Sequence, residues 1–157
     1  MEHKPESAAF ALLKARGLTL ASAESCTGGL IAKLITDLPG ASAVFRGGVV
    51  SYATEVKADV LGVPKGLLDE HGAVSEPTAR AMAEGARRIM KADIAVSTTG
   101  VAGPDKDDRG NEVGTVYIAL AAEGETLCSR FSCGSTREEV RQNAANTAFE
   151  MISKYLK

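Results

Sequence analysis

Glu24-Ser25-Cys26-Thr27-Gly28-Gly29 sets three nucleophile types side by side, with a carboxylate before them and two glycines behind. A hydroxyl or thiol at a helix start can attack a carbonyl, because free amides there bind an anion or a developing oxyanion. The same residues also suit a plain helix start, with a hydroxyl as the cap and Gly28-Gly29 as the turn. Spacing alone favours that plainer role, since the segment is neither a Walker loop nor G-x-G-x-x-G nor the G-x-S-x-G elbow. Cys26 belongs to a residue type commonly buried in cores. Two other segments shift the balance. Ser51-Tyr52-Ala53-Thr54-Glu55-Val56-Lys57 puts a phenol and an amine at a strand edge and the next helical turn. Ser97-Thr98-Thr99-Gly100-Val101-Ala102-Gly103-Pro104 is a second glycine-rich strand exit, suited to backbone contact with a phosphate or carbonyl.

These side chains meet only if strands and helices carry them to one end of a sheet. Ala8–Ala15 has helical spacing and stops at Gly17, and Leu18–Ala23 alternates as a strand. Leu30–Ile35 reads as a helix and Val44–Tyr52 as a strand, with Gly47-Gly48 as a bulge. Thr54–Leu61 and Lys65–His71 read as short helices. Ser75 caps a longer one that runs to about Lys91, with Ala79, Met82, Ala83, Ala86 and Ile89 towards the core. Asp93–Thr98 is a third strand, opening into a loop at Thr99. Gly114–Leu120 and Thr126–Cys133 form a hairpin about Gly124. Thr136 with Glu139 makes a capping box for a last helix to about Tyr155. Strands alternating with helices, then a hairpin, predict one three-layer α/β/α domain over residues 1–157. Its sheet is mixed and mostly parallel, with a C-terminal antiparallel hairpin. Ligands of such sheets gather at the carboxyl ends of the strands.

Composition narrows the class. With aromatics at only 4 % and no Trp, the core must come from Ala, Val, Leu and Ile, which favours close layered packing. A net charge of -2 gives no basic field for nucleic acid. No apolar run approaches the roughly 20 residues of a membrane helix, and the polar stretch Met1–Glu6 has no signal-peptide character. Three cysteines, Cys26, Cys128 and Cys133, suggest free thiols in a reducing, cytoplasmic compartment. Two histidines and no second cysteine pair leave no ligand set, so no metal or other cofactor is expected. The acidic run Asp105-Lys106-Asp107-Asp108 reads as solvated. The small apolar faces allow a homo-oligomer without demanding one.

Ala23–Gly29, Gly72-Ala73-Val74-Ser75-Glu76, Gly100-Val101-Ala102-Gly103-Pro104 and Val113-Gly114-Thr115-Val116, in that order, resemble the CinA C-terminal-domain family. The resemblance runs from about Phe10 to the last helix. It implies hydrolysis of the carboxamide of nicotinamide mononucleotide, giving nicotinic acid mononucleotide and ammonia. It further implies a Ser–Lys amidase, with Ser25 as nucleophile, Lys57 as base and Tyr52 tuning that lysine. A histidine triad would have to depend on His71. Cys26, Thr27, Gly28 and Gly29 would then surround the nucleotide, with Cys26–Gly29 amides as oxyanion donors and Thr27 as the cap, and Glu24 would either position the pyridinium or support the loop by accepting backbone bonds. Thr99, Gly100 and Gly103 would touch it from the second loop. Arg141 would offer a guanidinium to phosphate or ribose, or else stand as a solvated helix arginine beside Glu138. The chain resembles the family's stand-alone amidases rather than its fused forms. The competing expectation is a nucleotide-binding or competence-related partner domain without turnover.

Overall fold

The computed structural model describes residues 3–157; Met1 and Glu2, the start of the polar N-terminal stretch, lie outside them. Strands β1 (Leu20–Glu24), β2 (Phe45–Val50), β3 (Ile94–Gly100), β4 (Thr115–Ala122) and β5 (Glu125–Ser132) form one sheet in the order β2-β1-β3-β4-β5. β1 pairs parallel with β2 and β3, and β4 runs antiparallel to β3 and β5. Only β4 therefore opposes the common strand direction. Helices α1 (Pro5–Arg16), α2 (Leu30–Thr36) and α6 (Arg137–Leu156) pack on one face; α3 (Thr54–Asp59), α4 (Lys65–His71) and α5 (Glu76–Met90) cover the other.

Side-chain size divides the two faces. Alternate strand residues point to opposite sides of a sheet. Leu20, Ile94, Val96, Val116, Ile118 and Leu120 face α1, α2 and α6, where Leu13, Phe149 and Ile152 fill the layer. Ala21, Ala23, Ala95, Ala119 and Ala121 face the other way. Against that alanine surface α5 presents Ala79, Ala83 and Ala86, so its axis lies close to the sheet. Gly85 brings α5 equally close to the chain after α3: a Cβ there would stand within 3.0 Å of the Leu61 carbonyl oxygen.

Most local signals act where expected. Ser75 Oγ accepts from Thr78 N at 3.3 Å and starts α5. Thr136 Oγ1 accepts from Glu139 N at 3.3 Å, but the Glu139 carboxylate returns to Ser135 N, one residue short of a full capping box. Long-range pairing alters several boundaries. β3 continues through Thr99 and Gly100, because they pair with Tyr117 and Val116 of β4. The bulge falls on Arg46, since Leu20 and Ala21 face Phe45 and Gly47. Leu61 lies beyond α3 yet is fully buried against α5. Ile89 turns outward, 42 % exposed, because Met90 is the side chain that meets Gly47 on β2.

The chain leaves β1 towards β2 on one side and returns to β3 on the other. The carboxyl ends of β1 and β3 thus flank a topological switch point, where open α/β sheets form crevices.

Candidate active site

At that crevice the β1 exit is held from both neighbours. Ser25 N donates to Thr98 O at 3.0 Å, and Ser51 N donates to Glu24 O at 2.8 Å. The loop then turns through Gly28 (φ +59°) and Gly29 (φ +104°), left-handed conformations that glycine adopts without strain. One buried carboxylate organises the turn into α2. Glu24 accepts from Thr27 Oγ1 at 2.7 Å, Ile31 N at 2.8 Å and Ala32 N at 3.1 Å. Glu24, not Thr27, therefore caps α2. Thr27 is wholly buried, with its hydroxyl shared between Glu24 and Thr98 Oγ1.

Ser25 faces Lys57. The Lys57 Nζ lies 2.9 Å from Ser25 Oγ, 2.6 Å from the Ser51 carbonyl and 3.4 Å from the Tyr52 carbonyl. α3 supplies the lysine, and the segment joining β2 to α3 supplies both carbonyls. Only 1 % of Lys57 is exposed, and burial lowers its pKa from 10.5 to about 8. As an ammonium, Lys57 donates one N–H to each of the three oxygens; as a neutral amine, it keeps two N–H groups for the carbonyls and turns its lone pair to the Ser25 hydroxyl proton.

The cavity beside this pair has a volume of about 260 Å³. Ser25, Cys26, Tyr52, Lys57, Gly100 and Gly103 line it, together with Val74, Ala102, Asp105 and Arg137. Several expected contacts lie elsewhere. Thr27, Gly28, Gly29, Thr99 and Arg141 are not among the lining residues. Thr99 Oγ1 donates to Ala73 O at 2.7 Å, which ties the loop before α5 to the end of β3. Gly28 N is taken up by Ser25 O at 3.0 Å, so it is not a free oxyanion donor. Arg141 donates to the carbonyls of Cys26 and Thr27 at 3.2 and 3.1 Å. Tyr52 is 59 % exposed and its phenol oxygen accepts from Arg137 at 2.9 Å; only its main-chain carbonyl meets Lys57. Burial pushes the Cys26 thiol up to about 12, which disarms it as a nucleophile near neutral pH. His71 closes α4 beside Glu70 and is not among the cavity's lining residues.

Three cavity-lining residues escaped the sequence reading as functional candidates. Arg137 donates to Gly103 O at 2.6 Å as well as to Tyr52, and so joins both sides of the cavity mouth. Its signal was available: it precedes Arg141 by four residues and shares that helix face. Asp105 and Asp107, read as merely solvated, also line the cavity. Asp107 is a loop anchor, accepting from Arg109 N, Asn111 N and Asn111 Nδ2. Among the described residues no cluster of His, Cys, Asp and Glu could hold a metal ion, and no helix is long and apolar enough to cross a membrane.

Known proteins share both sequence and fold. Residues 2–156 match the family described as the CinA C-terminal domain. A CinA-like protein of Geobacter sulfurreducens is 48 % identical over 151 residues, covering 96 % of this chain and 37 % of its own length. Another, from Syntrophus aciditrophicus, is 48 % identical over 152 residues, covering 96 % of this chain and 36 % of its own. The chain thus spans little more than a third of these relatives. A CinA superfamily protein of Klebsiella pneumoniae superposes with a TM-score of 0.95 at 33 % identity, over 98 % of this chain and 96 % of that one. The competence/damage inducible protein CihA of Agrobacterium tumefaciens gives 0.91 at 38 % identity, over 99 % and 97 %.

Proposed function

Because the chain belongs to the CinA C-terminal domain family, we propose that it hydrolyses the carboxamide of nicotinamide mononucleotide to nicotinic acid mononucleotide and ammonia. One observation carries the reading: a nearly buried serine hydroxyl 2.9 Å from a buried amine of lowered pKa. That pair is a nucleophile with its general base, within the reach such chemistry needs.

Ser25 Oγ attacks the carboxamide carbon and gives its proton to neutral Lys57. The carbonyl π electrons move to oxygen, forming a tetrahedral oxyanion. The amide nitrogen takes the proton from Lys57 and leaves as ammonia, and an acyl-Ser25 ester remains. Water then adds to the ester carbon, with its proton passing to Lys57. When the C–Oγ bond breaks, Lys57 returns the proton to Ser25. Backbone N–H groups after Ser25 serve the oxyanion, each of the type worth ~3 kcal/mol in the transition state. At about 260 Å³ the cavity is smaller than a whole drug-sized site, so the pyridinium ring enters and the phosphate stays at the mouth beside Arg137. The ring's positive charge further favours the neutral amine. No metal or cofactor takes part in this scheme.

The test is direct. Incubation with nicotinamide mononucleotide releases ammonia and nicotinic acid mononucleotide in equal amounts. Thermal stabilisation by the nucleotide without ammonia release would instead identify a binding module.

The pH profile has a definite sign. The base is the neutral amine, and Lys57 loses its proton at about 8. At pH 7 about a tenth of the enzyme is competent, so kcat/KM rises nearly tenfold from pH 6 to 7 and levels off above the pKa. A profile that keeps rising towards pH 10.5 would mean that Lys57 is not held in the depressed state.

A further inference from the structure

We propose that Arg141 is the positioning residue of the nucleophile loop, acting through the backbone of Cys26 and Thr27 and touching no substrate. The inference rests on the amide hydrolysis proposed above.

Arg137 and Arg141 sit one turn apart on α6 and divide the site between them. Arg137 lines the cavity, whereas Arg141 is not among its lining residues. Arg141 Nε donates to Cys26 O at 3.2 Å, and Nη2 donates to Thr27 O at 3.1 Å. One planar fork therefore holds two consecutive carbonyls immediately after Ser25. In a trans peptide the carbonyl oxygen and the following N–H are fixed in one plane and point in opposite directions. Anchoring Cys26 O thus sets the direction of the Thr27 N–H, and anchoring Thr27 O sets that of Gly28.

The rest of the loop shows why this matters. Ser25 N is engaged with Thr98 O, and Gly28 N with Ser25 O. The amides of Cys26, Thr27 and Gly29 meet no acceptor oxygen among the described residues, and of these three residues Cys26 lines the cavity. The Arg141 cation lies on the carbonyl side of the Cys26–Thr27 and Thr27–Gly28 peptides and so polarises the N–H groups of Thr27 and Gly28. Gly28 is fitted to the arrangement: its missing Cβ would stand 3.2 Å from Arg141 Nη2. Glu24 grips the loop from beneath through Thr27 Oγ1 and the first amides of α2. Arg141 closes the other side with a residue more than a hundred positions later in the chain.

The experiment compares Arg141→Met and Arg141→Lys with the unaltered protein in three assays. These are hydrolysis of nicotinamide mononucleotide, hydrolysis of the riboside that lacks the phosphate, and labelling of Ser25 by a small fluorophosphonate. A positioning role lowers kcat of Arg141→Met by about 10²-fold on both substrates and leaves KM within about threefold. Labelling slows in parallel. Arg141→Lys recovers part of the loss, because an ammonium supplies the charge but cannot span both carbonyls. A raised KM confined to the phosphorylated substrate, with labelling unchanged, would overturn the proposal and make Arg141 a phosphate ligand. Equal kcat and labelling in all three proteins would overturn it as well. If the unaltered protein releases no ammonia, the amidase reading fails, and the labelling rates alone decide the role of Arg141.

Discussion

Lys57→Met lowers kcat for ammonia release by at least about 10³-fold and leaves a folded protein. The reasoning starts from burial. Lys57 is among the largest fully buried side chains, and its amine is held at Ser25 Oγ and two main-chain carbonyls. Methionine has similar length and flexibility and fills the same channel. The carbonyls of Ser51 and Tyr52 lose a donor, a cost of about 1 kcal/mol for each bond. Removing a poorly solvated amine offsets part of that cost. Stability therefore changes little while the base disappears. Lys57→Arg separates charge from basicity. A guanidinium stays protonated throughout the accessible range, so this variant is inactive at every pH although it keeps the positive charge. Steady-state kinetics with circular dichroism on both variants checks the point. Activity within about tenfold of the unaltered protein would remove Lys57 from the mechanism.

Gly85→Ala has its large effect on stability. On helix propensity alone it would gain up to about 1 kcal/mol. Packing reverses the sign. The new methyl would lie within 3.0 Å of Leu61 O, and that obstacle is main chain rather than a side chain that can swing away. The Leu61 carbonyl also accepts from Arg88 at 3.2 Å, so moving it disturbs a second contact. Overpacking of this kind costs about 3 kcal/mol. For a chain of this size that lowers Tm by about 6–12 °C. Because Leu61 follows the helix that carries Lys57, kcat falls as well. An unchanged Tm would show that α5 can withdraw from its neighbour without penalty.

Local chemistry made much of the architecture legible. Ser75 and Thr136 cap the helices they announced, and Lys65–His71 is helical over its full span. Elsewhere distant partners decided. Thr99-Gly100 looks like a loop until β4 pairs with it, and Ile89 fits an inward helical stripe until Met90 is seen against β2. The family resemblance pointed to Ser25 and Lys57, and the fold sets the two 2.9 Å apart. Orientation was not legible. Nothing in the order of residues says that Tyr52 offers Lys57 a carbonyl and sends its hydroxyl to Arg137, 85 positions away. Nor does it say that Glu24 turns inward to cap α2 rather than outward to a ligand.

The packing of α1 against the far end of α6 has an architectural consequence. Arg16, at the end of α1, bonds the Leu156 carbonyl at the end of α6, and His3 and Pro5 share a cavity wall with Ser153 and Lys157. Both ends of the described chain therefore emerge at one corner. α6 begins at Arg137 beside the Ser25 cavity and runs 20 residues, which carries its far end about 30 Å away. A cargo fused at either end would hang from that corner and leave the cavity mouth clear. For the same reason the ends can be spliced by a short flexible bridge and the chain reopened at the Glu123-Gly124 turn. In topological terms the site is indifferent to where the polypeptide is cut, provided that β1, α3, β3 and the first turns of α6 stay in register.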